Sequence, residues 1–271
     1  MNEITEIHES RMVEREKPAF EPELFIPDEI YPSDNDFEIP TLREDMQART
    51  CGLPFLAFGE QKRTYQMNGT GTLHFYVDDY RFNAVYEHPE KILQHNPMNI
   101  VEPNFSLFNE MPIAFGIQCV YKKRLVARSM QERGIRVFVD LNVASKWYRL
   151  NMMGVPHGWT AWCTRGYADR LQYLQFEHEL AKSWADGNKI TFVVYGGGQT
   201  IRKYCKDNGL IYVTPMVTIK KKAKALEGIK DTVAFFGQEI SLEAQLPTAQ
   251  DLFDRQIEDF SVKKIENSTN I

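Results

Sequence analysis

Three times along this chain a predicted helix ends at a glycine that leads directly into a run of β-branched and apolar residues. These glycines and the strands after them are Gly134 with IRVFVDLNV (135–143), Gly187 with KITFVVY (189–195), and Gly209 with LIYV (210–213). Glycine is common just after a helix because it adopts the left-handed conformation there without strain. Helices that alternate with buried strands build a parallel sheet with crossover helices. The chain therefore predicts an α/β fold with a mostly parallel sheet, either open or closed into an irregular barrel.

The rest of the chain between residues 60 and 240 follows the same alternation. Further strands are predicted at TLHFYV (72–77), MNIV (98–101), MPIAFGIQ (111–118) and GWTAWCT (158–164). Helices are predicted at 88–96, 120–134, 168–187 and 200–209. In the helix over 168–187 the apolar residues recur at helical spacing, which predicts the face that packs on the sheet. They are Tyr173, Phe176, Leu180 and Trp184.

Charge divides the chain into regions. The first fifty residues carry 14 acidic and 5 basic side chains, whereas the segment 201–230 carries 8 basic and 2 acidic ones. We predict an acidic extended N-terminal arm over 1–48, an α/β core domain over 49–240, and a terminal helix and tail over 241–271. The arm is either a solvated tail or a cover for a basic patch that a polyanion displaces.

The cysteines and the apolar runs indicate the compartment. Cys51, Cys119, Cys163 and Cys205 form no C-x-x-C pair, which is typical of a reduced cytoplasmic protein. Cys163 is predicted to be buried and structural, because free cysteine is usually buried. The N-terminus lacks the apolar stretch of a signal peptide, and no apolar run approaches the roughly 20 residues that span a bilayer. We expect a soluble, cytoplasmic protein with no membrane partner.

Polar side chains follow several predicted strands at their C-terminal ends, where parallel α/β sheets bind ligands. Asp78, Asp79, Glu102 and Asp140 all lie at such ends, as do Asn142 and Arg165. Carboxylates are preferred ligands of Mg²⁺ and Mn²⁺, and such a metal activates water or a phosphoryl group. One hypothesis makes Asp78, Asp79 and Asp140 catalytic, with Asp78, Asp79 and Glu102 as metal ligands. The alternative is that these residues simply begin polar loops.

A run of three glycines, Gly196, Gly197 and Gly198, lies between a predicted strand and a predicted helix. Backbone N–H groups at such a turn can hold a phosphate, which makes these glycines candidate phosphate-binding residues. The G-x-G-x-x-G pattern fails because Ile201 occupies its third glycine position. The alternative is a tight turn that lets the helix and the strand approach closely.

The basic segment near residues 202–230 is a candidate nucleic-acid interface. Lysine and arginine neutralise phosphates, and the interleaved Tyr204 and Tyr212 can stack on bases. DNA is the expected partner under this hypothesis, and a solvated helix face is the alternative. The candidate residues are Arg202, Lys203, Lys206, Lys220, Lys221 and Lys222.

Residues 74–197 resemble an uncharacterised bacterial and phage family, catalogued as domain of unknown function 4417. The matching phrases are HFYVDDYRFNAVYEHPEKIL (74–93), VEPNFSLFNEMPIAFGI (101–117), RLVARSMQERGIRVFVDLNV (124–143), GVPHGW (154–159), TAWCTRG (160–166) and VVYGGG (193–198). The chain departs from the family pattern at Asn104, where the family usually has Asp. The family has no established activity. The resemblance implies a protein of phages, plasmids and other mobile elements, in the host cytoplasm if a phage encodes it.

Three functional hypotheses follow. The first is a phage or mobile-element protein, associated with genome replication or nucleic-acid processing, that binds nucleic acid through the basic segment. The second is a metal-dependent enzyme, with Mg²⁺ or Mn²⁺, that acts on a nucleotide or a phosphorylated small molecule. The third is a non-enzymatic interaction protein whose acidic arm binds a partner. Residues alone leave open whether the protein is an enzyme.

Overall fold

In the part of the chain that the structure describes, seven parallel strands form one sheet, and each strand is hydrogen-bonded to the next one along the chain. The computed structural model describes residues 27, 29–60 and 67–215. The strands are β1 (Phe55–Ala57), β2 (Thr72–His74), β3 (Asn99–Val101), β4 (Arg136–Asp140), β5 (Ala161–Arg165), β6 (Thr191–Tyr195) and β7 (Ile211–Val213). The predicted α/β fold with a parallel sheet is confirmed.

Helices connect the strands from β2 onward. They are α1 (Ala84–Glu87), α2 (Glu90–Leu93), α3 (Ile113–Glu132), α4 (Tyr148–Asn151), α5 (Leu171–Trp184) and α6 (Gly198–Asp207). Short 3-10 helices cover Glu44–Met46, Asp79–Arg81 and Ser145–Trp147. The glycine that follows α3 has the expected left-handed backbone, with φ of 84° at Gly134, and Gly187 and Gly209 are also left-handed. Among the described residues, no helix is both long and apolar enough to cross a lipid bilayer.

The structure corrects two local predictions. Residues 111–118 do not form a strand, because from Ile113 onward they are the first turns of α3. Gly116 lets this part of α3 pack on Trp147, since a Cβ at that position would lie 2.2 Å from the indole ring. In α5 the buried residues are Leu174, Glu177, His178 and Ala181, whereas the predicted face residues Tyr173 and Phe176 are exposed. The apolar pattern failed in α5 because two of the four buried side chains are polar.

The sheet curls into a nearly closed barrel, and aromatic rings fill its interior. The Phe55 ring on β1 lies 5.7 Å from the Tyr195 ring on β6, and the His74 ring on β2 lies 4.4 Å from the same tyrosine. Side chains of the first, second and sixth strands can meet only if the sheet curves around them. Of the two architectures that the sequence allowed, the structure therefore has the irregular barrel.

The chain segment 45–51 crosses the N-terminal edge of the sheet. Ala48 N–H donates to the Val137 carbonyl of β4 at 2.9 Å, and the Gln47 side chain accepts the backbone N–H of Thr160 at 2.7 Å. Asn99 of β3 donates to the Thr50 carbonyl at 2.8 Å. This segment closes one end of the barrel, so the opposite edge is the one left for ligands.

The predicted acidic arm overlaps the packed part of the chain. Ile39, Leu42 and Ala48 are buried although the sequence places them in the arm. Residues 1–26 of the predicted arm lie outside the described residues, as do the predicted terminal helix and tail over 241–271.

Candidate functional site

A cleft of about 980 Å³ lies over the C-terminal edge of the sheet. In parallel α/β proteins this edge is where ligands bind, because the loops that follow the strands converge there. The lining residues fall within 76–81, 104–110, 142–145 and 165–170, which follow β2, β3, β4 and β5, and include Tyr173, Leu174 and Glu177 of α5.

Asp140, at the end of β4, organises the floor beneath this cleft. Its carboxylate accepts hydrogen bonds from the Tyr76 hydroxyl at 3.0 Å, the Asn104 side-chain amide at 2.7 Å and the Asn142 backbone N–H at 3.1 Å. The Tyr76 oxygen also lies 3.3 Å from the sulfur of Cys163. Cys163 is fully buried as predicted, and burial raises the pKa of its thiol well above the usual value. A neutral thiol there serves packing rather than nucleophilic attack.

Behind the floor lies a buried ion-pair network of Lys123, Arg124, Glu102 and Asp140. Lys123 Nζ lies 3.2 Å from Asp140 Oδ2 and 3.8 Å from Glu102 Oε2, and Arg124 pairs with Glu102 Oε1. All four side chains are at most 1% exposed. Two adjacent cations of α3 therefore neutralise two carboxylates at the ends of β3 and β4.

The structure separates the four predicted carboxylates into two pairs. Asp78 and Asp79 line the cleft, whereas Glu102 is directed to α3 and Asp140 lies beneath the floor. Asp79 accepts hydrogen bonds from the backbone N–H and the hydroxyl of Ser106, both at 2.9 Å. Within residues 27, 29–60 and 67–215, no three His, Cys, Asp or Glu side chains are grouped so as to hold a metal ion. The Mg²⁺ or Mn²⁺ site stays a prediction.

The three predicted phosphate-binding glycines form a tight turn between β6 and α6, with φ of 79° at Gly196, 96° at Gly197 and 77° at Gly198. A Cβ on Gly197 would lie 2.8 Å from the backbone of Gly166 and 2.6 Å from Ile201. The turn therefore needs glycine for close packing, and it does not line the cleft. Phosphate contact at this turn stays a prediction.

The described part of the basic segment lies on α6. Arg202, Lys203 and Lys206 are exposed, and their spacing places them on one side of the helix. Lys203 forms an ion pair with Asp207 at 3.7 Å, and the Arg202 guanidinium lies 5.9 Å from the ring centre of Tyr212. Lys220, Lys221 and Lys222 lie outside the described residues.

Two arginines at the cleft mouth form a candidate site that was not predicted from the sequence. The guanidinium groups of Arg165 and Arg170 lie 5.4 Å and 5.3 Å from the ring centre of Tyr167, and all three residues line the cleft. The sequence placed Arg165 at a strand end but gave no reason to join it to Arg170. The signal that was present is the spacing R-x-Y-x-x-R over 165–170.

Glu177 is another cleft residue that the sequence did not identify. It is 5% exposed and lines the cleft, and the Tyr148 hydroxyl donates to its Oε1 at 3.1 Å. Burial raises the pKa of Glu177 to about 8, an effect that its neighbouring hydroxyl groups partly offset and the Asp140 charge increases. The apolar pattern carried no signal for it, because that pattern indicated the face of α5 with Tyr173 and Phe176 instead.

Comparisons with known proteins place the chain among phage proteins of unknown role. Residues 31–197 match the family described as domain of unknown function (DUF4417). The "Gene 1 protein" of Mycobacterium phage D29 is 35% identical over 112 residues, 40% of each chain. The "Gene 1 protein" of Mycobacterium phage L5 is 34% identical over 112 residues, 40% of this chain and 47% of that one. The chain thus spans less than half the length of these curated relatives. No solved structure matches it.

Proposed function

The chain belongs to the family described as domain of unknown function (DUF4417), and from this premise we propose that it is a phage or mobile-element protein that binds nucleotides, free or within a strand, in the cleft. The similarity to proteins of two mycobacteriophages supports the phage setting. The observation that carries the nucleotide proposal is the pair of guanidinium groups held over Tyr167 at the cleft mouth.

These two cations are available to an anion. Within the described residues Arg165 has no carboxylate partner, and the nearest carboxylate to Arg170 is that of Asp169, at 3.9 Å. Guanidinium groups bind phosphate oxygens through two parallel hydrogen bonds, and stacking on an aromatic ring orients them before the ligand arrives. The mouth of the cleft therefore suits a phosphate group.

Exposed aromatic rings along the same cleft suit a nucleobase. Tyr80 is 73% exposed, Phe108 is 62% exposed and Tyr173 is 42% exposed, and all three line the cleft. Large aromatic side chains are seldom this exposed to solvent. A base can stack on any of these rings because every base has a π-face. Guanidinium groups and open rings in one cleft together favour a nucleotide over a phosphorylated sugar.

We expect the double variant Arg165→Ala/Arg170→Ala to bind nucleotides at least about tenfold more weakly than the wild type, since charge-assisted hydrogen bonds contribute about 1.5–3 kcal/mol each. Isothermal titration with nucleoside monophosphates, triphosphates and a single-stranded oligonucleotide measures the affinity and distinguishes free from polymeric ligands. Arg149→Ala removes an exposed arginine outside the cleft and is the matched control. Equal binding by the double variant and the control would contradict the cleft site.

A second candidate function uses α6 as a nucleic-acid interface, because three exposed basic side chains share one side of that helix. Under this hypothesis double-stranded DNA binds through its phosphates, and the affinity falls steeply as salt is raised. We expect the triple variant Arg202→Ala/Lys203→Ala/Lys206→Ala to weaken DNA binding. The slope of the logarithm of the binding constant against the logarithm of the salt concentration should become about 3 smaller in magnitude, while mononucleotide binding stays unchanged. DNA binding that is unaffected by this triple variant would exclude α6 as the interface.

A further inference from the structure

Glu177 is a buried carboxyl group that faces the cleft. It lies on the buried side of α5, and among the described residues no lysine, arginine or histidine forms an ion pair with it. Its Oε1 accepts a hydrogen bond from Tyr148 of α4. Buried carboxylates are normally paired, so a carboxyl left without a cation at the inner part of a ligand cleft requires an explanation.

Burial and one neighbouring negative charge favour the neutral form of Glu177, and its two hydroxyl neighbours offset them only in part. Tyr148 and Thr164 contribute hydroxyl groups from α4 and β5, and Asp140 contributes a negative charge from β4. Burial is the largest cause of its raised pKa, and the Asp140 charge acts in the same direction. Arg165 and Arg170 are exposed at the cleft mouth, whereas Glu177 is 5% exposed. With the hydroxyl of Tyr148 donating to one oxygen, the carboxyl proton resides on the other oxygen.

We propose that Glu177 donates a hydrogen bond from its protonated carboxyl to an uncharged acceptor atom of the nucleobase, so that the nucleotide binds with its base inward and its phosphate at Arg165 and Arg170. This inference rests on the proposed nucleotide function. A phosphate placed beside Glu177 would have no cation to pair with there. A ring nitrogen or carbonyl oxygen of a base, in contrast, accepts a hydrogen bond without adding charge to a buried site. The cleft thereby selects both a ligand class and its orientation.

Ionisation of Glu177 removes the donor and introduces a negative charge. Affinity should therefore be constant below the pKa of about 8 and fall above it. The fall approaches about tenfold for each pH unit, because binding then requires the uptake of one proton. Adenosine monophosphate is the probe, since its phosphate is fully ionised above about pH 7 and its base does not lose a proton in this range.

The experiment measures the affinity of adenosine monophosphate between about pH 7 and about pH 10 by isothermal titration. Glu177→Gln should retain the neutral-pH affinity within about threefold and lose the pH dependence, because the amide N–H donates a hydrogen bond at every pH. Glu177→Ala should bind about tenfold more weakly than the wild type does at neutral pH, and its affinity should not change with pH. Glu179→Gln, which changes an exposed residue of the same helix, should behave as the wild type.

Each outcome decides between the two proposals. If the affinity of the wild type for the nucleotide does not change with pH, the proposed role of Glu177 is wrong, whereas the proposal of a nucleotide site is retained. If Glu177→Gln keeps the wild-type fall above about pH 8, another group titrates and the role is again overturned. If no nucleotide binds to the wild type at low salt, the proposed function fails, and the inference fails with it.

Discussion

Replacing Arg124 with alanine should lower the free energy of unfolding by about 3–5 kcal/mol, because a buried charge left without its partner is strongly destabilising. Arg124 is fully buried, pairs with Glu102, and donates from Nε to the carbonyl of Met153 at 2.9 Å. The variant leaves the Glu102 carboxylate in the interior with Lys123 as its remaining cation, whose nitrogen is 3.8 Å away. Urea denaturation monitored by fluorescence measures the loss.

Two further variants test the electrostatic cause. Arg149→Ala removes an exposed arginine and should change the stability by no more than about 0.5 kcal/mol. The double variant Arg124→Met/Glu102→Leu removes both charges and should recover much of the loss, since apolar replacements of a buried ion pair are often tolerated. If the loss of stability in the double variant equals the sum of the losses in the single variants Arg124→Met and Glu102→Leu, the two charges are not coupled and the account is wrong.

Glu177→Gln should stabilise the folded protein, and the gain should grow as pH rises from about 4.5 to about 8, reaching about 2–4 kcal/mol. In the unfolded chain the carboxyl ionises near its ordinary pKa of 4.5, whereas in the folded protein it stays protonated until about pH 8. Between these values the folded state holds one more proton than the unfolded state, so wild-type stability falls with rising pH. Glutamine does not titrate and avoids this loss.

Denaturation midpoints of the wild type and Glu177→Gln, measured at several pH values in this range, show how the difference in their stability changes with pH. Glu179→Gln serves as the control, because this exposed carboxylate on the same helix forms an ion pair with Lys182, which lowers the pKa of Glu179. A constant difference between Glu177→Gln and the wild type at all pH values would show that Glu177 titrates normally. That result would also remove the basis for a protonated carboxyl in the cleft.

The sequence predicted the fold wherever an element was long or ended in a glycine. The strands β4 and β6 and the helices α5 and α6 lie where their apolar runs and terminal glycines predict them. The strand β1 was not predicted, because its short apolar run directly follows Pro54 and shows no alternation of apolar and polar residues. The prediction of a strand over 111–118 was wrong because a short apolar run fits a buried helix equally well.

The site was harder to predict because its parts come from separate elements. The rule that ligands bind at strand ends correctly brings Asp78 and Asp79 to the cleft. It does not reveal that Glu102 is directed to Arg124, because the partner lies 22 residues away on a helix. It also does not find Glu177, since a carboxylate on a helix is expected to face solvent and only the packed structure shows it buried.

The segment 45–51, which closes the N-terminal edge of the barrel, has a consequence for how the chain folds during synthesis. Consecutive strands can pair as each one leaves the ribosome, because every strand pairs with its predecessor in the chain. The Gln47 side chain, however, accepts from Thr160, 113 residues later, and the backbone carbonyl of Arg49 accepts from the Thr191 hydroxyl, 142 residues later. Such distant contacts close large loops and slow folding. The segment is thus made before any of these partners, and its last contact forms only after β6 has been made. Until then it stays partly open to chaperones and proteases.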